Sequence, residues 1–301
     1  MSNVAARALT HWRSTLPGLD AILVGMETAV AVSVSAPSRT RVRLRLPRWL
    51  LAFPLPLCLI ALWQAATGGR AFSLIPTPVK VLVTTWDYVA GGIYNDTYSA
   101  AFLRNAEASI GRVYGGFAVA LLIALPLGLL LGRSARVRAI IDPTLQFLRP
   151  IPVTAWLPLT MILFGLGPRA TVALIALGTF FPMLINTVDG VRMVEPRLIE
   201  AAHMLGTPKA AIFARVILPA ASPAIFTGIR VALGLGWVLV VVGEMTGVPL
   251  GLGANIMDAR QLSRTDLVIA GMVVIGILGF ISDRIVMEIG RRALWWNPSA
   301  R

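Results

Sequence analysis

The chain has 301 residues, of which 56% are hydrophobic and only 14% are charged. A soluble domain carries about 25% charged residues, so this composition predicts a polytopic membrane protein without a second sizeable soluble domain. The net charge of +13 does not indicate nucleic-acid binding, because the basic residues lie mostly in loops and termini, where they set membrane orientation.

The first 48 residues are mixed in character. Residues 21–35 are mildly apolar but are interrupted by Glu27, whereas a membrane span needs about 20 mostly apolar residues. We interpret residues 1–48 as a basic cytosolic tail. A signal peptide at this end is the alternative.

Residues 49–292 are predicted to form an all-α domain with six transmembrane helices. The apolar runs that predict these spans lie at residues 49–67, 113–131, 153–166, 170–188, 221–245 and 267–287. Between the first two spans, residues 79–89 predict an amphipathic helix on the extracytoplasmic membrane surface. Residues 293–301 are predicted to be a second, short cytosolic tail.

A proline-rich break precedes the third predicted span. Pro150 and Pro152 follow Arg149 closely, and each interior proline removes a backbone hydrogen bond from a helix. Non-helical backbone at membrane depth is tolerated only against protein or a water-lined cavity. The break is therefore either part of a pathway or gate, or a simple turn at the membrane surface.

Basic residues are distributed unevenly between the predicted loops. Fifteen arginines and lysines lie in segments 39–48, 133–138, 192–215 and 291–301, against seven in the segments on the other side of the spans. Because loops rich in arginine and lysine tend to stay in the cytosol, this bias predicts that both termini and residues 192–215 are cytosolic.

A polar, charge-bearing insert between the fourth and fifth predicted spans lies within residues 195–219. Its sequence predicts a helix, a break at Gly206, and a second helix with Thr207 as N-cap and Pro208 at its first position. Such a helix pair can lie across the membrane surface and present apolar side chains with charged flanks to another protein.

This insert resembles the EAA signature of ABC importer permeases. The matching residues, at the spacing of that signature, are Glu200, Ala201, Ala202, Gly206, Leu218 and Pro219. Val216 stands where isoleucine is usual. The resemblance implies that residues 195–219 form a coupling loop in a groove of a separate ATPase subunit. Softer matches, at 147–152, 156–158, 164–167, 243–245, 251–253, 258–260 and Gly279, resemble the permeases for sulfonates, taurine and nitrate.

The resemblance implies a type I, MetI-like permease fold in a bacterial inner membrane. The expected function is ATP-driven import of a small, anionic solute, with two ATPase subunits, a second copy of the permease, an extracytoplasmic solute-binding protein and surrounding lipid as partners. The sequence contains no P-loop and no HExxH, CxxC or GxSxG motif. We therefore expect no enzymatic activity, no catalytic residue, no cofactor, no metal site and no nucleic-acid partner.

Charged residues inside the predicted spans or at the proline-rich break are candidates for the solute pathway. A charge at the bilayer centre costs about 2.5–3.5 kcal/mol on insertion scales, so these side chains are expected to avoid lipid. The candidates are Arg149, Arg230 and Glu244. The alternative, which we favour, is that such residues pair with opposite charges or reach headgroups.

A stand-alone secondary transporter is the second functional hypothesis. It requires coupling-ion residues near the middle of the membrane, and inverted repeats are common in such proteins. The sequence has few acidic residues within its spans and no evident repeat. A membrane-embedded enzyme has even less support, because the two histidines, His11 and His203, lie far apart in the chain.

Overall fold

The computed structural model describes residues 54–68 and 75–296. The predicted tail at 1–48 and the last residues of the tail at 293–301 lie outside the described residues. The helical bundle belongs to a compact unit that begins at residue 58.

All regular secondary structure in the described residues is helical, as predicted. The helices are α1 (Pro54–Thr67), α2 (Pro78–Ala90), α3 (Phe102–Arg133), α4 (Ala135–Leu148), α5 (Leu157–Phe164), α6 (Pro168–Arg192), α7 (Pro196–Met204), α8 (Lys209–Glu244), α9 (Leu252–Gln261) and α10 (Thr265–Ala293). A short 3₁₀ turn, Val153–Trp156, precedes α5.

Four helices are long and apolar enough to cross a membrane: α3, α6, α8 and α10. They coincide with four of the predicted spans and extend beyond most of the predicted limits. The first predicted span is represented by α1, whose 14 residues measure about 21 Å, less than the ~30 Å hydrocarbon core. Residues 49–53 of that span lie outside the described part of the chain.

The third predicted span is not one straight helix. The proline-rich break at residues 149–152 is confirmed, and the helices on its two sides are bent by 87° from one another. The apolar piece that follows, Val153–Phe164, measures about 18 Å at 1.5 Å per residue. It is too short to cross alone, so a crossing at the predicted span 153–166 also needs the helix before the break.

Helices α3 and α6 run in the same direction, and small residues let them pack closely. A Cβ atom added at Gly116 would lie 2.7 Å from Ile175, and one at Gly132 would lie 2.6 Å from Val191. Residues later in α3 therefore contact residues later in α6, which shows that the two helices are parallel. The intervening bent pair must therefore return from the end of α3 to the start of α6, which makes it a fifth crossing.

Helix α8 packs antiparallel to α6, and α10 packs antiparallel to α8. Gly190, near the end of α6, lies against Ala224 in the first half of α8, and Gly290, near the end of α10, lies against Phe226 of α8. One end of the bundle, here called the EAA end, therefore collects the last residues of α3, α6 and α10 and the loop at 195–219.

The opposite end is closed by a polar cap built from α2, the loop 91–101, α9 and the start of α10. Helix α2 confirms the predicted amphipathic helix. Its Asp87 accepts hydrogen bonds from the backbone amides of Ile93 (2.8 Å) and Tyr94 (3.1 Å) and from the Ser99 hydroxyl (2.6 Å). These bonds fold the loop back onto α2.

This loop is expected to loosen in acid. The hydrogen bond from Ser99 lowers the pKa of Asp87 against the opposing effect of burial, and the two amides lower it further. A carboxylate with a depressed folded-state pKa stabilises the fold above its unfolded pKa of about 3.9, and that stability is lost as pH falls through the folded value. Thermal unfolding between pH 7 and pH 3 should show this loss in the wild type and less of it in Asp87→Asn. Parallel curves for the two proteins would contradict the assignment.

Candidate functional site

The loop at 195–219 contains the predicted helix break. Helix α7 ends in a Schellman motif, in which the Gly206 amide donates to the carbonyl of His203 (3.0 Å) and the Thr207 amide donates to that of Ala202 (3.2 Å). Gly206 has a φ of +72°, a left-handed conformation that glycine adopts without steric cost.

The predicted cap of the second helix is wrong by one residue. Pro208 occupies the N-cap position, with φ −68° and ψ 149°, and Lys209 is the first helical residue. The Thr207 amide already closes α7, so Thr207 belongs to the end of the first helix. The carbonyl of Pro208 instead accepts the amides of Ala211 and Ile212.

The second half of the loop continues into α8 without interruption. Phe213–Ile217 form a π-helical turn, closed by the Leu218 amide donating to the Phe213 carbonyl. Pro219 has no amide hydrogen, and the wider turn sits directly before it, where a regular helical bond is unavailable. The Arg133 guanidinium lies 5.2 Å from the Phe213 ring and links this turn to the end of α3. The second half of the loop is therefore part of one continuous helix of 36 residues.

One side of the loop is anchored and the other is exposed. Of the six residues that match the EAA signature, the exposed ones are Glu200, Ala201, Gly206 and Leu218, whereas Ala202 is buried and Pro219 is half-buried. Ile199 and Ile217 pack on a buried cluster that includes Val191 and Ile225.

Two apolar side chains next to the break were not predicted as part of the exposed surface. Met204 is 88% exposed and Leu205 is 84% exposed. On the second helix of the loop, by contrast, Ile212 is buried. One feature of the sequence could have predicted this exposure. Met204 and Leu205 are two adjacent apolar residues directly before a glycine that ends a helix, so they do not fit the spacing of the helix's buried face.

The three pathway candidates lie in different surroundings. Arg230 of α8 donates two hydrogen bonds, each 2.8 Å long, to Asp283 of α10, and the two side chains are 43% and 41% exposed. Arg149 is exposed at the proline-rich break and lines a cavity of about 410 Å³ between α4 and α6. Glu244 is buried, with 1% of its surface exposed.

Glu244 is held in a buried polar cluster that joins three elements. It accepts hydrogen bonds from Arg112 and Ser109 of α3 and from the Gly253 amide at the start of α9 (2.9 Å). Arg112 also donates to the Leu250 carbonyl at 2.6 Å. We call Arg112, Ser109, Glu244 and residues 250–253 the buried clamp.

Arg112, which the sequence analysis counted among the basic residues between the first two spans, lies inside α3 and is 8% exposed. For Arg230 and Glu244, pairing with an opposite charge, the alternative considered from the sequence, is what the structure contains.

Comparison with known proteins adds independent information. Residues 124–294 match the family described as binding-protein-dependent transport system inner membrane component. The chain is 37% identical over 253 residues to a putative aliphatic sulfonates transport permease protein of Bacillus subtilis, covering 83% of this chain and 89% of that one. It is 36% identical to the taurine transport system permease protein of Escherichia coli, covering 77% and 82%.

A bicarbonate transport system permease protein of Synechococcus elongatus is 37% identical, covering 61% of this chain and 66% of that one. Among solved structures, the inward-facing MetNI methionine ABC transporter is similar in fold, with a TM-score of 0.55, 19% identity, and coverage of 64% of this chain and 94% of that one. The family match spans more than half of the chain. The chain therefore belongs to the inner membrane components of binding-protein-dependent transport systems, the permease subunits of ABC importers.

Proposed function

We propose that this permease imports a small oxyanion-bearing solute of the sulfonate, taurine or nitrate type, as one of two identical copies that form the pathway between them. The relatives named for aliphatic sulfonates, taurine and bicarbonate support this class, since each name denotes a small molecule that carries an oxyanion. As a permease it breaks no bond in the solute, and ATP is hydrolysed by separate subunits of the importer.

The observation that carries the proposal is the construction of the EAA loop. Met204 and Leu205 project beside exposed Glu200, while the following turn is continuous with α8. An exposed apolar anchor with a charged neighbour is the kind of surface that seats in a groove of a partner protein. We assign that groove to each of two ATPase subunits.

In this mechanism the loop acts as a lever. Closure of the ATPase subunits around ATP moves both EAA loops, and α8 carries that movement into the bundle. The two permease copies then rock between inward-open and outward-open states. The solute-binding protein docks on the polar cap at the opposite end, both termini lie in the cytosol, and lipid surrounds the apolar faces of the long helices.

The pathway candidates keep different roles in this proposal. Arg149 is exposed and lines a cavity, and Arg230 is half-exposed within a span and paired with Asp283. We assign both to contact with an anionic solute. Glu244 is enclosed in the buried clamp, and a direct role in the pathway requires the clamp to open. All three assignments remain predictions.

Replacing Glu200 with lysine is expected to weaken ATPase binding. The substitution reverses a charge beside the exposed apolar anchor, and misplaced charge at an interface disfavours association. We expect about tenfold less ATPase co-purifying with the permease, equivalent to about 1.4 kcal/mol, and a matching loss of uptake. Glu288→Lys makes the same charge change on the exposed side of α10 and should leave both quantities unchanged. Wild-type values for Glu200→Lys would count against the proposed contact.

The orientation of the EAA loop can be tested by cysteine labelling. Cys58 is the single cysteine of the chain, so Cys58→Ser gives a background without thiols. When the permease is produced without its ATPase subunits, a cysteine at the 88% exposed Met204 should react with a membrane-impermeant maleimide in inside-out vesicles and be protected in intact cells. Labelling in intact cells would place the loop on the far side of the membrane and end the proposal.

A further inference from the structure

Two facing stripes of polar residues line the cavity between α4 and α6. Helix α4 contributes Arg138 and Asp142 at helical spacing, followed by Arg149 at its end. Helix α6 contributes Asp189 and Arg192 from its last turn. Between these groups the wall is apolar, formed by Leu145, Phe181, Leu184 and Ile185. The cavity, here called the arginine slot, has a volume of about 410 Å³.

The arginines of this slot lack carboxylate partners. Arg112, Arg230 and Arg264 form ion pairs with Glu244, Asp283 and Asp96 respectively. In the slot Arg138 is half-buried, whereas Arg149 and Arg192 are exposed. In the slot two aspartates line the same cavity, yet within residues 54–68 and 75–296 no ion pair of 4 Å or less joins them to its arginines. Asp142 instead accepts a hydrogen bond from Gln146 (2.9 Å).

Arg138 and Arg192 lie at the same level of the slot, at the EAA end. The Arg138 guanidinium reaches the Leu131 carbonyl at 3.5 Å, and the next residue, Gly132, packs against Val191. Arg149 lies about 16 Å farther along α4, at 1.5 Å per residue. Arg149 is therefore too far from Arg138 for both to bind one oxyanion. Arg138 and Arg192 are the two arginines that can bind the same oxyanion.

The aspartates restrict the ligand further. A simple anion would meet Asp142 and Asp189 as well as the arginines, because three guanidinium groups and two carboxylates line the slot. Guanidinium groups bind sulfonate and phosphate oxygens with charge-assisted hydrogen bonds, whereas carboxylates accept hydrogen bonds from ammonium or hydroxyl groups. The apolar wall accommodates a hydrocarbon portion of the same molecule.

We propose that the arginine slot binds a molecule whose head joins an oxyanion to an ammonium or hydroxyl donor and whose remainder is apolar or very short. Arg138 and Arg192 hold the oxyanion, Asp189 and Asp142 hold the donor, and the apolar wall receives any chain. Two sources share this chemistry: an aminosulfonate solute on its way out of the pathway, and the headgroup of a phospholipid. The solute source rests on the proposed function, and the lipid source does not.

Matched pairs of probes test the slot in the purified full-length permease without its ATPase. The first pair is 2-aminoethanesulfonate and ethanesulfonate, which differ only in the ammonium donor, measured by calorimetric titration. The second pair is phosphatidylethanolamine and phosphatidylcholine, whose ammonium groups do and do not carry donor hydrogens, measured as bound lipid by native mass spectrometry. Binding of the first donor-bearing probe identifies a solute, and binding of the second identifies a lipid.

Arg138→Gln combined with Arg192→Gln is expected to weaken binding of the donor-bearing probe at least tenfold. Arg136→Gln removes the same charge from an exposed position of α4 outside the slot and should bind as the wild type does. Asp189→Asn should reduce the preference for the donor-bearing member of each pair. Because Arg192 is exposed at the end of α6, the single change Arg192→Gln serves if the double variant does not fold.

The inference is overturned if neither donor-bearing probe binds, or if Arg192→Gln and Arg136→Gln bind equally well. This result is separable from the proposed function, because it is obtained without the ATPase and without uptake. Loss of ATPase co-purification in Glu200→Lys together with no binding in the slot would retain the permease mechanism and remove the slot from it.

Discussion

Valine in place of Gly206 is expected to abolish most ATP-driven uptake while leaving the permease folded in the membrane. Gly206 has a φ of +72°, and for an L-residue the left-handed region costs roughly 1–2 kcal/mol. A β-branched side chain such as valine is a particularly poor fit there. The strain acts on the turn that positions α7, and α7 carries Glu200 and Met204.

The effect of this substitution is conformational and not a clash. A Cβ atom added at Gly206 would meet no heavy atom within 4 Å, so the bundle itself does not have to repack. The loop is expected to relieve the strain by giving up the Schellman motif, which changes the angle between α7 and the start of α8. The exposed anchor formed by Met204 and Leu205 then no longer fits its groove.

Three variants separate these effects when ATPase co-purification and uptake are measured together. Gly206→Val should reduce both quantities about tenfold or more, and Gly206→Asn should retain most of both, because asparagine tolerates the left-handed region. Gly247→Val places the same strain at a glycine with φ +96° and open surroundings at the opposite end, and should leave co-purification unchanged. Equal co-purification by Gly206→Val and wild type would show that the turn does not set the contact.

Local chemistry made the EAA loop predictable. A glycine followed by Thr-Pro ends a helix whatever surrounds it, so the break at Gly206 was available from a few neighbouring residues. The cap at Thr207 was missed because its amide is used by the preceding helix, a choice between two local bonds that sequence spacing does not decide. Met204 and Leu205 were missed for a related reason, because the exposure of a side chain depends on how the whole loop is anchored.

The packing of the helices against one another was harder to predict from the sequence than the local structure of the EAA loop. Pro150 and Pro152 predicted a break, but neither the size of the bend, 87°, nor the close packing of α3 against α6 could be predicted from the sequence. The partner of Glu244 is 132 residues away in the chain, and Arg112 was indistinguishable from a loop arginine near the start of a span. Long-range pairs of this kind are set by the fold and carry no local signal.

Removing one partner of the buried clamp is expected to be the most destabilising change in the described residues. The Arg112 and Glu244 side chains are 9% and 0% exposed, and breaking such a buried pair typically costs about 3–5 kcal/mol, because the remaining charge is left buried without compensation. Glu244→Leu or Arg112→Met alone should therefore lower the free energy of unfolding by about this amount. Unfolding in detergent, followed by heat or denaturant, provides the measurement.

The double variant, Arg112→Met with Glu244→Leu, should lose less unfolding free energy than the two single variants lose in total. Replacing both charges with apolar groups removes the unpaired charge, although the Ser109 hydroxyl and the Gly253 amide still lose an acceptor. Arg292→Met and Glu288→Leu provide the matched control, because that exposed pair on one helix is worth about 0.3–0.5 kcal/mol. Additive losses at the clamp, or single losses as small as those of the control, would show that the pair does not hold α3, α8 and α9 together.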